Sequence, residues 1–239
     1  MIGLGLLGAD GRMGQAVDRL AAAADDVEVV ARVSAEAPDY ASLAQCDGVI
    51  DFSSESAIVH ALPHLKDGCA FVSGTTGLST GVRKRIKKAS ARLAVLQSGN
   101  FSLGINLLMR LAYQAADSLS DDWDIEILEM HHRDKVDAPS GTALMLGEAV
   151  ADGRDVMLDM VASYDRKCAR GRGDIGFAVL RGGGVYGDHE VRLVSNSEMI
   201  TLGHSALNRD VFADGALSAL RWAVGKPAGL YSMDDVLGG

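Results

Sequence analysis

The sequence predicts an α/β chain: a parallel sheet wound with helices over its first hundred residues, then an α+β region of different character. Three observations carry this. Short apolar runs alternate with helical segments from Ile2 to Gln97, the pattern of βαβ units. A glycine-rich turn, Gly8-Ala9-Asp10-Gly11-Arg12-Met13-Gly14, stands between the first run and the first helical segment. After about residue 102 the alternation stops, and strands follow one another with few helices between them.

Taken in order, Ile2 to Leu7 reads as a buried strand, and Met13, Val17, Leu20, Ala21 and Ala24 then fall at helical spacing. Val27 to Val33 is a second strand and Gly48 to Phe52 a third, ending in the polar Ser53-Ser54-Glu55-Ser56. A short helix is expected from Ser56 to His64, a fourth strand from Cys69 to Ser73, a basic helix over 79–92 and a fifth strand from Leu93 to Gln97. Leu103 to Leu119 is one long amphipathic helix. Asp124 to Glu129 alternates with period two, as a half-buried strand does, and a helix follows from about Ala143 to Ala151. Arg166 to Asp174 reads as a loop. Phe177 to Arg181, Glu190 to Ser195 and Met199 to Ser205 are further strands, and Val211 to Val224 is helical.

Composition narrows the function. The 239 residues correspond to one large domain or two small ones. With 48% hydrophobic and 23% charged residues the chain can bury a sizeable core. Its net charge of −9 repels nucleic-acid backbone and anionic lipid, and 5% aromatic residues make a thin platform for stacking bases. Neither nucleic acid nor membrane is an expected partner. Cys46, Cys69 and Cys168 stand in no metal-binding spacing, so reduced thiols in a cytoplasmic protein are the expectation. The N-terminus is apolar but short and lacks a positive flank, unlike a signal peptide.

Two glycine patterns compete. Gly3-x-Gly5-x-x-Gly8 satisfies a dinucleotide pattern in form, but strand residues fill it and no strand precedes it. Gly8-x-x-Gly11-x-x-Gly14 follows a strand and opens a helix, so its backbone can approach a pyrophosphate closely. A plain strand-to-helix turn needing glycine for positive φ remains open on spacing alone. Arg12 places a cation in that turn. The acidic residue that commonly ends the second strand, to hold the adenosine ribose, is missing: Ser34 follows Val33, and Glu36 comes two positions later. Without that carboxylate a 2′-phosphate meets less repulsion, and Arg12 or Arg32 could pair with it.

The most informative stretch runs from Glu129 to Ala143, Glu-Met-His-His-Arg-Asp-Lys-Val-Asp-Ala-Pro-Ser-Gly-Thr-Ala. His131, His132, Arg133 and Lys135 concentrate titratable and cationic groups at a strand end, which suits an anionic small substrate. Ser140 is a good N-cap after Pro139, and the leading N–H groups of Gly141 and Thr142 form a carboxylate or phosphate site. His131 and Lys135 can each deliver a proton. Adjacent strand residues point to opposite faces, so His131 and His132 should differ in role, and both cannot bind one metal. A solvated charged loop before a capped helix is the competing reading.

This stretch resembles the signature of the 4-hydroxy-tetrahydrodipicolinate reductases, long called dihydrodipicolinate reductases, of the diaminopimelate route to lysine. The likeness continues through Gly8 to Gly14, Gly74-Thr75-Thr76-Gly77, Ser98-Gly99-Asn100-Phe101-Ser102, Ile175-Gly176-Phe177, Arg181-x-Gly183, Gly187-x-His189 and the closing Gly229 to Leu237. The resemblance implies a Rossmann-type dinucleotide-binding domain from 1–102 completed by 210–239. It also implies a substrate-binding and oligomerisation domain over 103–209, of α+β type with an open mixed sheet that assembles a homotetramer. Hydride would pass from NADPH or NADH to a cyclic unsaturated imine dicarboxylate. On this likeness His131 is the proton donor or acceptor and Lys135 the second donor, while His132 with Gly141 and Thr142 grips the substrate carboxylates. The cofactor would lie on Gly8, Ala9, Asp10, Gly11, Arg12, Met13, Gly74, Thr75, Thr76, Ser98, Gly99, Asn100 and Phe101, and no metal is implied. Two departures stand out. Ser34-Ala35 replace the family's usual acidic residue, often followed by Arg, and the segments after strand two and over about 155–173 are short.

The rival readings are another Rossmann-type reductase of a small oxo or imino acid and a non-catalytic NAD(P)H sensor. A sensor has no need of the proton donors in His131-x-x-x-Lys135. His60 and His64 have a zinc-like spacing but no third ligand, and Arg83-Lys84-Arg85-x-Lys87-Lys88 lacks interleaved aromatics; both read as solvated helix faces. Leu107-Leu108-Met109-x-Leu111 reads as core or subunit contact.

Overall fold

The structure, a computed structural model, describes residues 1–238. In chain order the first elements are β1 (Ile2–Leu7), α1 (Arg12–Ala22), β2 (Val27–Val33), β3 (Gly48–Asp51), α2 (Glu55–Ala61), β4 (Ala70–Ser73), α3 (Thr80–Ala89) and β5 (Ala94–Gln97). There follow α4 (Leu103–Ser118), β6 (Asp124–His131), α5 (Gly141–Gly153), α6 (Leu158–Val161), β7 (Ala162–Ser163), β8 (Ile175–Arg181), β9 (Asp188–Val194) and β10 (Met199–Ser205). The chain closes with α7 (Asp210–Ala223), β11 (Gly229–Tyr231) and α8 (Met233–Val236). It divides into two compact units, Met1–Leu103 with the C-terminal stretch from Asp210, and Gly104–Arg209.

The first unit is a six-stranded sheet in the order β11-β5-β4-β3-β1-β2, parallel throughout. Strand residues alternate between two cores, one on each face. Leu7, Val49, Phe71 and Val95 face the core built with α2 and α3, while Leu4, Leu6, Ile50, Val72 and Leu96 face the one built with α1 and α7. The direction of winding reverses between β1 and β3, and at such a switch point the strand ends leave a crevice for a ligand. Gly3 and Gly5 of the first glycine pattern lie within β1, and a Cβ at Gly5 would press on Leu43 and Cys46.

The second unit is a mixed sheet in the order β10-β9-β6-β8-β7, with β8 parallel to β6 and β7, and β9 antiparallel to β6 and β10. One face packs Ile125, Ile127, Phe177, Val191 and Leu193 against Ile105, Leu108 and Ala112 of α4 and Leu146 and Val150 of α5. The opposite face presents Leu128, Met130, Ala178, Leu180, Val194 and Met199, half-buried or exposed, with Glu190 and Arg192 paired at 2.7 Å among them.

Most boundaries agree with the sequence to within two or three residues. The strand expected to end at Glu129 continues through His131, because pairing with β8 and β9 carries it on where the alternation of the sequence fails at the paired histidines. The segment read as a helix to His64 ends as α at Ala61 and tightens into a 3₁₀ turn at Leu62–His64, where Pro63 removes a donor. A 3₁₀ segment at Tyr40–Gln45 and the short α6, β7, β11 and α8 were not expected, being too brief to show a period. The apolar stripe of α4 divides: Leu108 is core, whereas Leu107 and Leu111 are exposed.

Candidate active site

In the first unit the turn after β1 is shaped by two glycines. Gly8 has φ +86°, and a Cβ there would strike the Phe52 carbonyl oxygen at 2.6 Å. A Cβ at Gly14 would collide with the Gly8 carbonyl, so this glycine lets α1 close on the end of β1. Gly11 is the N-cap of α1 and offers no side-chain acceptor, and no acidic residue occupies the first turn. The positive end of the helix is thus left to an outside anion. Arg12 is exposed and takes no partner among the described residues, whereas Arg32 is engaged by Asp18 at 2.7 and 3.0 Å. That leaves Arg12 as the cation of this turn.

A cavity of about 360 Å³ opens beside the turn, lined by Gly8, Asp10, Gly11, Ser34, Ala35, Tyr40, Phe52, Ser53 and Ala57 among others. A second of about 260 Å³ is lined by Thr75, Thr76, Gly77, Leu78, Arg83, Gln97, Ser98 and Gly99. Gly8, Asp10, Gly11, Thr75, Thr76, Ser98 and Gly99 of the expected cofactor residues therefore line open space. Ala9 and Met13 are half-buried in the same turn. Gly74, Asn100 and Phe101 instead shape the walls from behind. A Cβ at Gly74 would meet the Phe52 and Phe101 rings, Asn100 Oδ1 accepts from Ser102 N at 2.9 Å, and Phe101 packs edge-on to Phe52 at 5.8 Å. Arg83, read in the sequence only as part of a solvated face, brings a cation to the second cavity. Its Nε donates to the Leu78 carbonyl at 2.9 Å, a contact that residue spacing cannot show. His60 and His64, at the zinc-like spacing, lie exposed and stack on Tyr40 at 5.7 and 6.3 Å.

The second unit holds a buried polar cluster at the end of β6. Glu129, 2% exposed, accepts from Arg181 Nη1 and Nη2, both at 2.9 Å, from Ser140 N at 3.0 Å and from His131 Nδ1. Burial pushes this carboxyl up, but those donors together outweigh it and hold it below the usual carboxylate range. His131 is 8% exposed. With Nδ1–H donated to Glu129, its Nε2 is the atom left to exchange a proton. A Cβ at Gly187 would stand 3.0 Å from that Nε2, so glycine there keeps its approach clear. Burial lowers the His131 pKa; Glu129 acts against this, and the charges of Lys135 and Arg181 add to it.

Lys135 is held by Asp137 at 2.7 and 2.8 Å. Arg181 ties its loop down, giving Nε to the Lys135 carbonyl at 3.3 Å and Nη2 to the Asp137 carbonyl at 2.6 Å. His132 follows the strand, half-buried, while Gly141 and Thr142 open α5 beyond the Ser140 cap. That helix too has no acidic residue in its first turn. The arrangement can hold a proton on a ring nitrogen beside a lysine and a helix start that attracts anions. Glu129, Arg181, Asp137 and His189 had no role assigned in the sequence; strand pairing, invisible to local spacing, unites Glu129, Arg181 and His189, and Arg181 ties the loop of Asp137 to them.

His189 packs edge-on to His131 at 5.0 Å, with Nε2 3.3 Å from Ser140 Oγ and Nδ1 without a partner among the described residues. Burial, aided by His131, pushes its pKa down to about 4. A histidine whose folded pKa lies below its unfolded value of 6.5 makes the unfolded chain bind more protons, so its penalty is absent near pH 7 and grows as pH falls from 6.5 to about 4. Acidification over that window should cost roughly 3 kcal/mol through His189 alone. Urea unfolding of wild type and His189→Gln at pH 7 and pH 4.5 checks it. Equal acid sensitivity in both would refute it.

Family models described as dihydrodipicolinate reductase, N-terminus and C-terminus, match residues 2–101 and 104–237. A 4-hydroxy-tetrahydrodipicolinate reductase of Caulobacter vibrioides is 46% identical, over 98% of this chain and 96% of its own. The enzyme of that name from Gluconobacter oxydans is 51% identical, over 83% of this chain and 81% of its own. A solved dihydrodipicolinate reductase from a Paenisporosarcina species shares the fold at TM-score 0.78, with 22% identity and 97% of each chain covered.

Proposed function

This chain belongs to the dihydrodipicolinate reductase family, and from that premise we propose residue roles, a cofactor preference and an assembly for it. It is an NAD(P)H-dependent oxidoreductase that reduces 4-hydroxy-tetrahydrodipicolinate to tetrahydrodipicolinate in the diaminopimelate route to lysine. The balance is one hydride and one proton taken up and one water lost. A different oxo- or imino-acid reductase, or a sensor without turnover, is not favoured by relatives this similar.

The dinucleotide would lie on Gly8, Gly11 and the first turn of α1, with Thr75, Thr76, Ser98 and Gly99 lining its further reach. The glycine cradle fits it, because Gly8 and Gly11 line a cavity of about 360 Å³ and the start of α1 carries neither a side-chain cap nor an acidic residue in its first turn. Bound there, the reduced nicotinamide supplies hydride; the protein contributes orientation, charge and a proton. His131 gives that proton from Nε2 while Glu129 holds the ring in one tautomer and supports the imidazolium. Lys135 is the second donor, and His132 with the N–H groups of Gly141 and Thr142 receives the substrate carboxylates. The observation carrying this assignment is the buried Glu129–His131 pair with an unblocked Nε2. Steady oxidation of NADPH on adding freshly made dihydrodipicolinate-synthase product tests the function; no oxidation with either NADPH or NADH overturns it.

NADPH should be accepted at least as readily as NADH, because Ser34 and Ala35 line the cavity where a carboxylate would repel a 2′-phosphate. Arg12→Ala should weaken NADPH more than NADH, since only NADPH offers that extra dianion to the guanidinium. kcat/KM for both cofactors in both proteins decides it. Equal penalties would assign Arg12 to the shared pyrophosphate, and a ~100-fold wild-type preference for NADH, nearly 3 kcal/mol, would overturn the cofactor reading.

A homotetramer is the proposed assembly. The uncovered sheet face bearing Leu128, Met130, Leu180 and Met199 supports it, since apolar residues gathered on one side of a sheet call for a partner. A monomeric mass by light scattering would overturn it. The unpaired thiols of Cys46, Cys69 and Cys168 support a cytoplasmic location, which cell fractionation tests. No helix among the described residues is long and apolar enough to cross a membrane.

A further inference from the structure

Asp51 ends β3 fully buried, and four donors reach it. Oδ1 accepts from Ser53 N at 3.0 Å and from Ser53 Oγ, while Oδ2 accepts from Ser73 Oγ at 2.7 Å and Thr75 Oγ1 at 2.9 Å. Ser53 N is shared with Thr75 Oγ1 at 3.0 Å, and the Asp51 carbonyl accepts from Gly74 N at 2.8 Å. None of these partners is cationic. Burial accordingly pushes the carboxyl above the ordinary range, against the pull of its hydrogen bonds. A buried carboxyl without a cation is an expensive filler, and an apolar side chain of like volume would serve the core at lower cost.

What a carboxyl can do here, and an apolar side chain cannot, is accept from two loops at once. Ser53 belongs to the loop after β3 and lines the larger cavity, while Thr75 belongs to the loop after β4 and lines the smaller one. We infer that Asp51 is a positioning residue for the dinucleotide, tethering the loops of Ser53 and Thr75 so that the walls of the two cavities keep one register. This rests on the proposed nucleotide site. It also assigns Thr75 differently from its neighbours. Its hydroxyl is turned inward to Asp51, so what Thr75 offers a nucleotide is its backbone.

Thr75→Val keeps the side-chain shape and deletes the tether's hydroxyl; Thr75→Ser keeps the hydroxyl. The expected result is a KM for NADPH raised about tenfold in Thr75→Val, with kcat at saturating NADPH within about threefold of wild type, since loss of preformed binding appears in KM. Thr75→Ser should restore KM. Asp51→Ala should raise KM at least as much, and if it fails to fold the Thr75 pair decides alone. A merely structural role would lower the melting temperature while leaving KM of the folded enzyme unchanged, and that outcome overturns the tether. Wild-type protein that shows no NADPH binding in a fluorescence titration would instead overturn the nucleotide site itself. Wild-type binding with KM unchanged in Thr75→Val sinks only the tether.

Discussion

Replacing His131 with Gln is expected to lower kcat by about 10²- to 10⁴-fold, the usual worth of a positioned general acid, while KM for NADPH stays within about twofold. The split follows from the proposed roles, since the glycine cradle assigned to the cofactor belongs to the first unit and His131 to the second. Gln can still meet Glu129 with its amide but has no proton to give at the position of Nε2. The pH profile supplies a second readout. Burial holds the His131 pKa below 6.5, so the protonated acid is the minor form near neutrality, and kcat/KM should rise as pH falls toward that lowered value. That limb should vanish in the Gln variant. Turnover at the wild-type rate in His131→Gln would move the proton donor elsewhere, first to Lys135.

Glu129→Gln should lower both activity and stability, which separates it from His131→Gln. Four donors converge on this carboxylate, and Gln can accept at only one oxygen while turning an NH₂ toward the others. Arg181, whose side chain is 18% exposed, would lose its counter-charge within a buried site. Breaking such a pair from one side costs about 3 kcal/mol. His131 would also lose the acceptor that fixes its tautomer, so kcat should fall by about 10²-fold. Urea unfolding at pH 7 and initial rates at saturating NADPH check the two effects. Undiminished stability would mean that Arg181 finds another partner, and an undiminished rate would show that His131 needs no orienting carboxylate.

Much of this protein was legible in its sequence because the relevant physics is local. A parallel strand buried on both faces is a largely apolar run, a half-exposed edge strand such as β2 still keeps its β-branched residues, and an amphipathic helix must repeat at 3.6 residues, so β1 to β5 and α1, α3, α4 and α7 could be drawn without coordinates. The turn at Gly8 to Gly14 announced itself, since a positive φ and a close helix–strand approach leave glycine as the residue that fits. The Ser140 cap and the adjacent histidines were readable for the same reason. Two kinds of feature were not. Arg83 at a cavity wall and Tyr40 stacked on His60 and His64 are properties of surfaces meeting, and a helical wheel shows only which side faces water.

The buried clusters are the clearest case of what tertiary structure alone decided. Glu129 and Arg181 are 52 residues apart, and Glu129 and His189 lie opposite each other because β6 pairs with β8 on one side and β9 on the other. Asp51 gathers Ser73 and Thr75 only because β3 and β4 are neighbours in register. Sequence by itself determined which residues could carry a proton, a charge or a tight turn, since that is intrinsic chemistry. Their pKa values, their free atoms and their partners were decided by strand order, because burial and long-range hydrogen bonding exist only once the sheets have formed.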